Sequence, residues 1–182
     1  QSGADLALMG VRPTFPSEKY GYIIPEGAPE PDKPYVDVQS FKEKPGEEEA
    51  AAMIERAALW NCGVFSFKLD FLIQILIAYG YPIQYDEMLK QYRRLPKISF
   101  DYEIVERTRR VVALPYAGNW KDLGTWNTLT EEMDNPLTGN GIIAGDSSNT
   151  HVVNELDIPI TLLNLSNVIV AASPDGILVS DK

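Results

Sequence analysis

An α/β fold followed by a small all-β, solenoid-like segment is what the sequence predicts, and three observations carry that prediction. Residues 35–67 read as strand, short helix, strand, the pattern of a βαβ unit. Residues 71–79, 85–94, 100–107 and 126–133 carry helical patterning between further strand-like runs. From Asn135 onward only short strand-like runs remain, beginning at Thr150, Ile160, Val168 and Ile177, about eight to ten residues apart with Asn, Asp, Ser, Pro and Gly between them. No strict hexapeptide or longer repeat accompanies that spacing. The change of pattern divides the chain into 1–134 and 135–182.

Taken in order, residues 5–9 are a short apolar strand that starts without a turn or cap, as at the cut edge of a longer protein. Tyr20-Gly21-Tyr22 follows, where a glycine between two rings lets main chain meet a ligand while the rings stack beside it, or else marks a hairpin or bulge with exposed tyrosines. Gly27, Pro29, Pro31 and Pro34 make 26–34 a loop. Val36, Val38 and Phe41 then alternate with polar residues as a strand, which Pro45 and Gly46 stop just after Glu43 and Lys44. Alternation along a strand sends those two neighbours to opposite faces, so they are not expected to pair. Residues 47–56 start with three acids, continue through alanines and end on Arg56, a charge order that suits a helix dipole. Gly63 opens the second strand, 64–67, and allows close backbone approach of a ligand or a neighbouring strand.

Asp70 is expected to cap a nearly all-apolar helix, 71–79, which should be buried on most sides. A more polar helix spans 85–94, and Ser99 caps 100–107 with Asp101 in its first turn. Residues 111–114 form the next strand. Asp122 sits in the loop between that strand and the helix at 126–133, on the side where α/β sheets bind ligands.

Composition limits the chemistry. A formal net charge of −10 opposes binding to nucleic acid or to an anionic membrane, and the longest apolar run, 71–78, is far short of the roughly 20 residues that span a bilayer. With one cysteine there is no internal disulfide, so a cytoplasmic setting is expected. A single histidine, His151, and the single Cys62 leave no Cys/His zinc cluster and no Ser-His-Asp set. His151 reads as a surface or sheet residue and Cys62 as an inert buried thiol. No Walker or Rossmann glycine loop is present in these residues.

Tyr20-Gly21-Tyr22-Ile23, Phe41-x-Glu43-Lys44-Pro45, Trp60-Asn61-Cys62-Gly63-Val64-Phe65, Ser99-x-Asp101-Tyr102 and Trp120-x-Asp122-x-Gly124-x-Trp126 resemble, in that order, the motifs of the sugar-phosphate nucleotidyltransferases, and most of all the mannose-1-phosphate guanylyltransferases. The run from Ser173 to Val179 is similar to that family as well. The resemblance implies a partial Rossmann-like nucleotide-diphospho-sugar transferase fold. It covers the second half of the family's catalytic domain and the opening of its β region; the glycine-rich nucleotide loop and a first metal-binding aspartate belong to the half outside this sequence.

The activity implied is transfer of GMP from GTP to mannose 1-phosphate, giving GDP-mannose and pyrophosphate, with Mg2+ as the divalent metal. Asp122 is implied as metal ligand and catalytic residue, and Lys44 as the catalytic cation that pairs with the sugar phosphate. Tyr20, Gly21, Tyr22, Glu43, Lys44, Asn61, Gly63 and Asp101 are implied as substrate-binding. Two alternatives stay open: a nucleotidyltransferase for another hexose 1-phosphate, and a non-catalytic sugar-phosphate-binding or assembly module. The chain alone is expected not to turn over, and a homo-oligomer built through the β-rich segment is left open.

Overall fold

The computed structural model describes residues 2–27, 30 and 32–182. Within the expected loop 26–34, Ala28, Pro29 and Pro31 lie outside the described residues, as does Gln1. Two compact units divide at Trp120/Lys121. The composition changes later, at 135; the stretch between holds a loop and one helix.

The first unit is a five-stranded closed barrel in the order β1-β4-β2-β3-β5. Its strands are β1 (Leu6–Val11), β2 (Gly21–Pro25), β3 (Val36–Glu43), β4 (Leu59–Phe67) and β5 (Val111–Tyr116). β2 pairs antiparallel with both β3 and β4, so those two run parallel to each other, joined by helix α1 (Glu47–Glu55) as a crossover. β1 closes the ring, antiparallel to β4 and parallel to β5. Every residue from Gly21 to Ile24 is buried because β2 is covered on both faces. Ile23 joins Leu6, Leu8, Val36, Val105, Val111 and Ala113, whereas Tyr22 and Ile24 join Val11, Ala50, Met53, Ala58 and Trp60 beneath α1.

Several local expectations are corrected. β4 begins at Leu59, not Val64, and Gly63 lies inside it. The register against β1 slips between the Leu8/Phe65 and Gly10/Asn61 pairs, which leaves extra β4 residues in a bulge, and Gly63 there takes φ +70°. Helix α2 (Leu69–Ala78) has Lys68, not Asp70, as its N-cap and no buried residue, contrary to the buried helix expected. Phe71 packs beside Phe67 and against the barrel core, and Leu72, Ile73, Ile75 and Leu76 are half-buried while Leu69 and Ile77 stay exposed. Helix α3 (Tyr85–Gln91) follows, then a 3-10 turn, Tyr92–Arg94. The expected α-helix at 100–107 is instead a π turn, Asp101–Val105. Ser99 Oγ accepts from Tyr102 N at only 3.4 Å, while Val105 drops into the barrel core.

The second unit carries α4 (Trp126–Glu131), β6 (Leu137–Thr138), β7 (Gly141–Ile143), β8 (His151–Asn154), β9 (Ile160–Leu162), β10 (Val168–Ser173) and β11 (Gly176–Asp181). β6, β8 and β10 lie parallel in one sheet, with β11 as an antiparallel edge, and β7 and β9 lie parallel in another. From β6 to β10, consecutive strands therefore alternate between sheets, the solenoid-like arrangement expected. Neighbours across a layer stand two sequence spacings apart: Asn149 Nδ2 donates to Asn167 Oδ1, eighteen residues on, at 2.8 Å. Val152, Leu162 and Val170 fill the interior.

Candidate functional site

Gly21 starts β2 directly opposite Glu43, the last residue of β3. Facing pairs in an antiparallel ladder put their side chains on one face, and Asn61 reaches the same spot from β4. A β-carbon at Gly21 would stand 2.8 Å from Phe41 Cζ and 3.3 Å from Asn61 Cβ, and it would collide with Glu43 Oε2. The glycine is thus where a carboxylate and a carboxamide from the flanking strands converge. Both side chains are largely enclosed, with Glu43 and Asn61 each 8% exposed.

Lys44 lies one residue beyond β3 with φ +48°. The strand's alternation ends at Glu43, so the Lys44 side chain curls back and its Nζ donates to Glu43 Oε1 at 2.8 Å, correcting the expectation that these neighbours would not pair. Its main-chain N–H donates to Tyr20 O at 3.2 Å. The Glu43 hydrogen bond and charge raise the lysine above its usual range, with Asp101 and Tyr102 adding to the effect. The ammonium therefore stays cationic, and with 53% of the side chain exposed it keeps donors for a ligand.

Asn61 is held at both ends of its amide. Nδ2 donates to Asp101 Oδ1 at 2.9 Å, and Oδ1 accepts from Gly63 N at 3.2 Å across the bulge. Asp101 thus orients Asn61 instead of facing the amides of its own turn. Glu106, just past the π turn, was missed by sequence reasoning: its Oε1 accepts from Glu43 N at 2.9 Å. Acids five residues apart share no face of an α-helix, so α periodicity could not point to it.

The two tyrosines part company. Tyr20 packs edge-on against Trp60 and Trp120, with centroids at 4.8 and 5.6 Å, at the rim of the second hydrophobic cluster. Tyr22 is 0% exposed. Its hydroxyl accepts from Ser17 N at 2.8 Å and donates to Ser17 O at 3.1 Å. That corrects its expected role beside a ligand: alternation that turns Gly21 to the site turns Tyr22 away, a parity readable from the sequence. Cys62, half-buried with Sγ 3.9 Å from Trp60 O, has its thiol pushed up to about 11 by burial, consistent with an inert role.

In the second unit Asp122 Oδ1 accepts from Gly124 N at 3.0 Å, closing a tight turn. A β-carbon at Gly124 would press at 3.1 and 3.2 Å on the two carboxylate oxygens, so glycine keeps that carboxylate clear. The cap of α4 is Thr125, which forms a reciprocal pair with Thr128. Asp122 is therefore a turn residue but not the helix cap, and it is exposed. Among the described residues no group of three or more His, Cys, Asp or Glu gathers to hold a metal. His151 stands in β8 with Lys182 Nζ at its Nδ1, and burial holds its pKa down. No helix among the described residues is long and apolar enough to cross a membrane.

Comparison with known proteins places the chain in a family. The mannose-1-phosphate guanylyltransferase ManC of Salmonella typhimurium is 28% identical over 204 residues, covering 97% of this chain and 42% of its own length. The alginate biosynthesis protein AlgA of Pseudomonas fluorescens is 26% identical, covering 98% and 41% respectively. The chain thus spans about two fifths of the curated relatives it matches. A solved structure from Thermus thermophilus, named a mannose-1-phosphate geranyltransferase, superposes with a TM-score of 0.70 at 28% identity over 97% of this chain and 56% of that one. The fold is accordingly the mixed α/β nucleotidyltransferase fold with β-rich C-terminal strands. Residues 1–138 match the nucleotidyl transferase family model, and the chain belongs to that family.

Proposed function

We propose that the barrel end around Gly21 is the sugar-phosphate site of a mannose-1-phosphate guanylyltransferase, the full-length protein transferring GMP from GTP to mannose 1-phosphate to give GDP-mannose and pyrophosphate. The observation that carries the reading is the convergence of Glu43 and Asn61 over a residue without a side chain, with the Lys44 cation beside them. The names of the relatives supply the sugar and the nucleotide.

In this reading a phosphate oxygen of mannose 1-phosphate attacks the α-phosphorus of GTP, and the bond to the β-phosphate bridge breaks to release pyrophosphate. Such a displacement asks the protein mainly for positioning and charge compensation. Glu43 accepts from sugar hydroxyls, and Lys44, with one donor spent on Glu43, pairs the sugar phosphate with the others. Asn61 offers its remaining N–H and the second lone pair of its oxygen, which already accepts from Gly63. Asp122 would hold the magnesium ion, which when bound neutralises phosphate charge.

The test is pyrophosphate release by the full-length protein with a panel of hexose 1-phosphates and nucleoside triphosphates. Mannose 1-phosphate with GTP should be preferred, and Glu43→Gln should lower kcat/KM for the sugar phosphate about tenfold or more while leaving KM for GTP nearly unchanged. Equal use of sugar phosphate by that variant would remove Glu43 from the site.

A further inference from the structure

The π turn Asp101–Val105 joins two parts of the site that lie on different strands. Its i to i+5 bond, Glu106 N to Asp101 O at 3.0 Å, stacks residues five apart in one column, which an α-helix would splay. Asp101 reaches Asn61 on β4 and Glu106 reaches the Glu43 main-chain N–H on β3. Between them Ile104 and Val105 are buried, Val105 within the barrel core, so the turn is anchored by packing as well as by its acids.

The anchor falls where β3 lacks a neighbour. Among the described residues β5 pairs with β3 at Val36 and Asp37 alone, and beyond them no strand lies along this edge of β3. The chain must also stop being a strand at Glu43, because Lys44 takes the left-handed conformation. A carboxylate on the last N–H supplies a charge-assisted hydrogen bond at that stopping point.

We propose that Glu106 is a positioning residue for the sugar-phosphate site: by holding the Glu43 main-chain N–H it fixes where β3 ends, and so sets the Glu43 carboxylate over Gly21 and the Lys44 ammonium beside it. Asp101, at the other end of the same turn, sets the Asn61 amide. The inference rests on the sugar-phosphate reading of this site.

Glu106→Ala and Glu106→Gln in the full-length protein test it by kinetics and by NMR. The alanine variant should raise KM for mannose 1-phosphate about tenfold and leave KM for GTP within about twofold, the loss expected when a carboxylate that binds the sugar slackens in position. Glutamine keeps a carbonyl acceptor for the Glu43 N–H and should restore KM to within about threefold of wild type. The Glu43 amide proton should resonate downfield in wild type and in Glu106→Gln, and move upfield in Glu106→Ala. A glutamine variant as impaired as alanine would mean that the charge itself acts on substrate and would overturn the positioning role. So would an alanine variant with wild-type KM, or an unmoved amide proton. A wild type that turns over no sugar phosphate would sink the reading of the site, and the amide shift would still decide whether Glu106 holds β3.

Discussion

Replacing Gly21 by alanine is the smallest change that should separate packing from function at this site. Two effects on stability oppose each other. Gly21 has no positive φ, so its backbone accepts an L side chain, and alanine should gain about 0.4–1 kcal/mol by restricting the unfolded chain. Against that, the new β-carbon would lie 2.8 Å from Phe41 Cζ and collide with Glu43 Oε2, and overpacking of this kind costs about 1–3 kcal/mol. The carboxylate is the softer neighbour, but Lys44 holds its other oxygen and Glu106 holds its main chain. The net expectation is a loss of about 0–2.5 kcal/mol, read as a lower urea midpoint of unfolding followed by tryptophan fluorescence.

Function should suffer more than stability. To clear the β-carbon, Glu43 must swing away from the position it shares with Asn61, and losing one hydrogen bond donated by a sugar hydroxyl to a charged acceptor costs about 1.5–3 kcal/mol. At 1.4 kcal/mol per tenfold, KM for mannose 1-phosphate should rise about 10-fold to 100-fold. Steady-state kinetics with GTP held saturating measure this directly. Gly21→Ala with unchanged KM and unchanged stability would show that Glu43 does not occupy the space above Gly21 in the working protein, and the site as built would be refuted.

Asp122→Asn keeps an oxygen for the Gly124 N–H, so the turn should fold normally while turnover drops at least 100-fold and the magnesium requirement rises; near-normal turnover at ordinary magnesium would remove Asp122 from the metal site. Tyr22→Phe leaves the buried Ser17 N–H without its acceptor and should cost about 1–3 kcal/mol in chemical denaturation with no change in KM for the sugar phosphate. For Cys62, burial raises the thiol to about 11 in the folded protein, so between the ordinary thiol range and that value the native state binds more protons than the unfolded one, and this contribution to stability is lost as pH rises through the window. Alkylation of the native thiol should accelerate up to about pH 11, and a rate that levels off near the ordinary thiol value would contradict the burial.

What the sequence made legible follows from the range over which each feature is determined. The alternation of Val36, Val38 and Phe41 and the stop at Pro45 are local, and β3 runs from Val36 to Glu43. The four late strands are bounded by their own turn residues and appear as β8 to β11. Pairing partners are another matter: β1 and β5 lie side by side although about a hundred residues separate them, and nothing in either run states that the sheet closes. α2 shows the same limit, since an apolar helix announces that it can be covered but not by what.

Lys44 and Glu106 were misjudged for one reason, the treatment of chain direction as uniform through a position where it changes. Alternation carried past the end of β3 sends Lys44 to the wrong face, because a residue with φ +48° no longer belongs to the strand. Within Tyr20-Gly21-Tyr22, by contrast, alternation does hold from Gly21 onward, and it turns Tyr22 into the core. At 101–106 the helical period itself is different, and the acid that matters to Glu43 falls on the column that only a π turn creates. Each departure lies where the regular element ends or widens: the last residue of β3, the bulge at Gly63, the π turn. Regular pairing sets Glu43 and Asn61 around Gly21, and those irregularities add Lys44 beside them and hold Asn61 through Gly63 and Asp101. A regular strand or helix repeats its side-chain directions, so the ladder can set Glu43 opposite Gly21. Turning Lys44 back onto Glu43 and aiming Asp101 and Glu106 at two strands takes backbone that leaves the regular period.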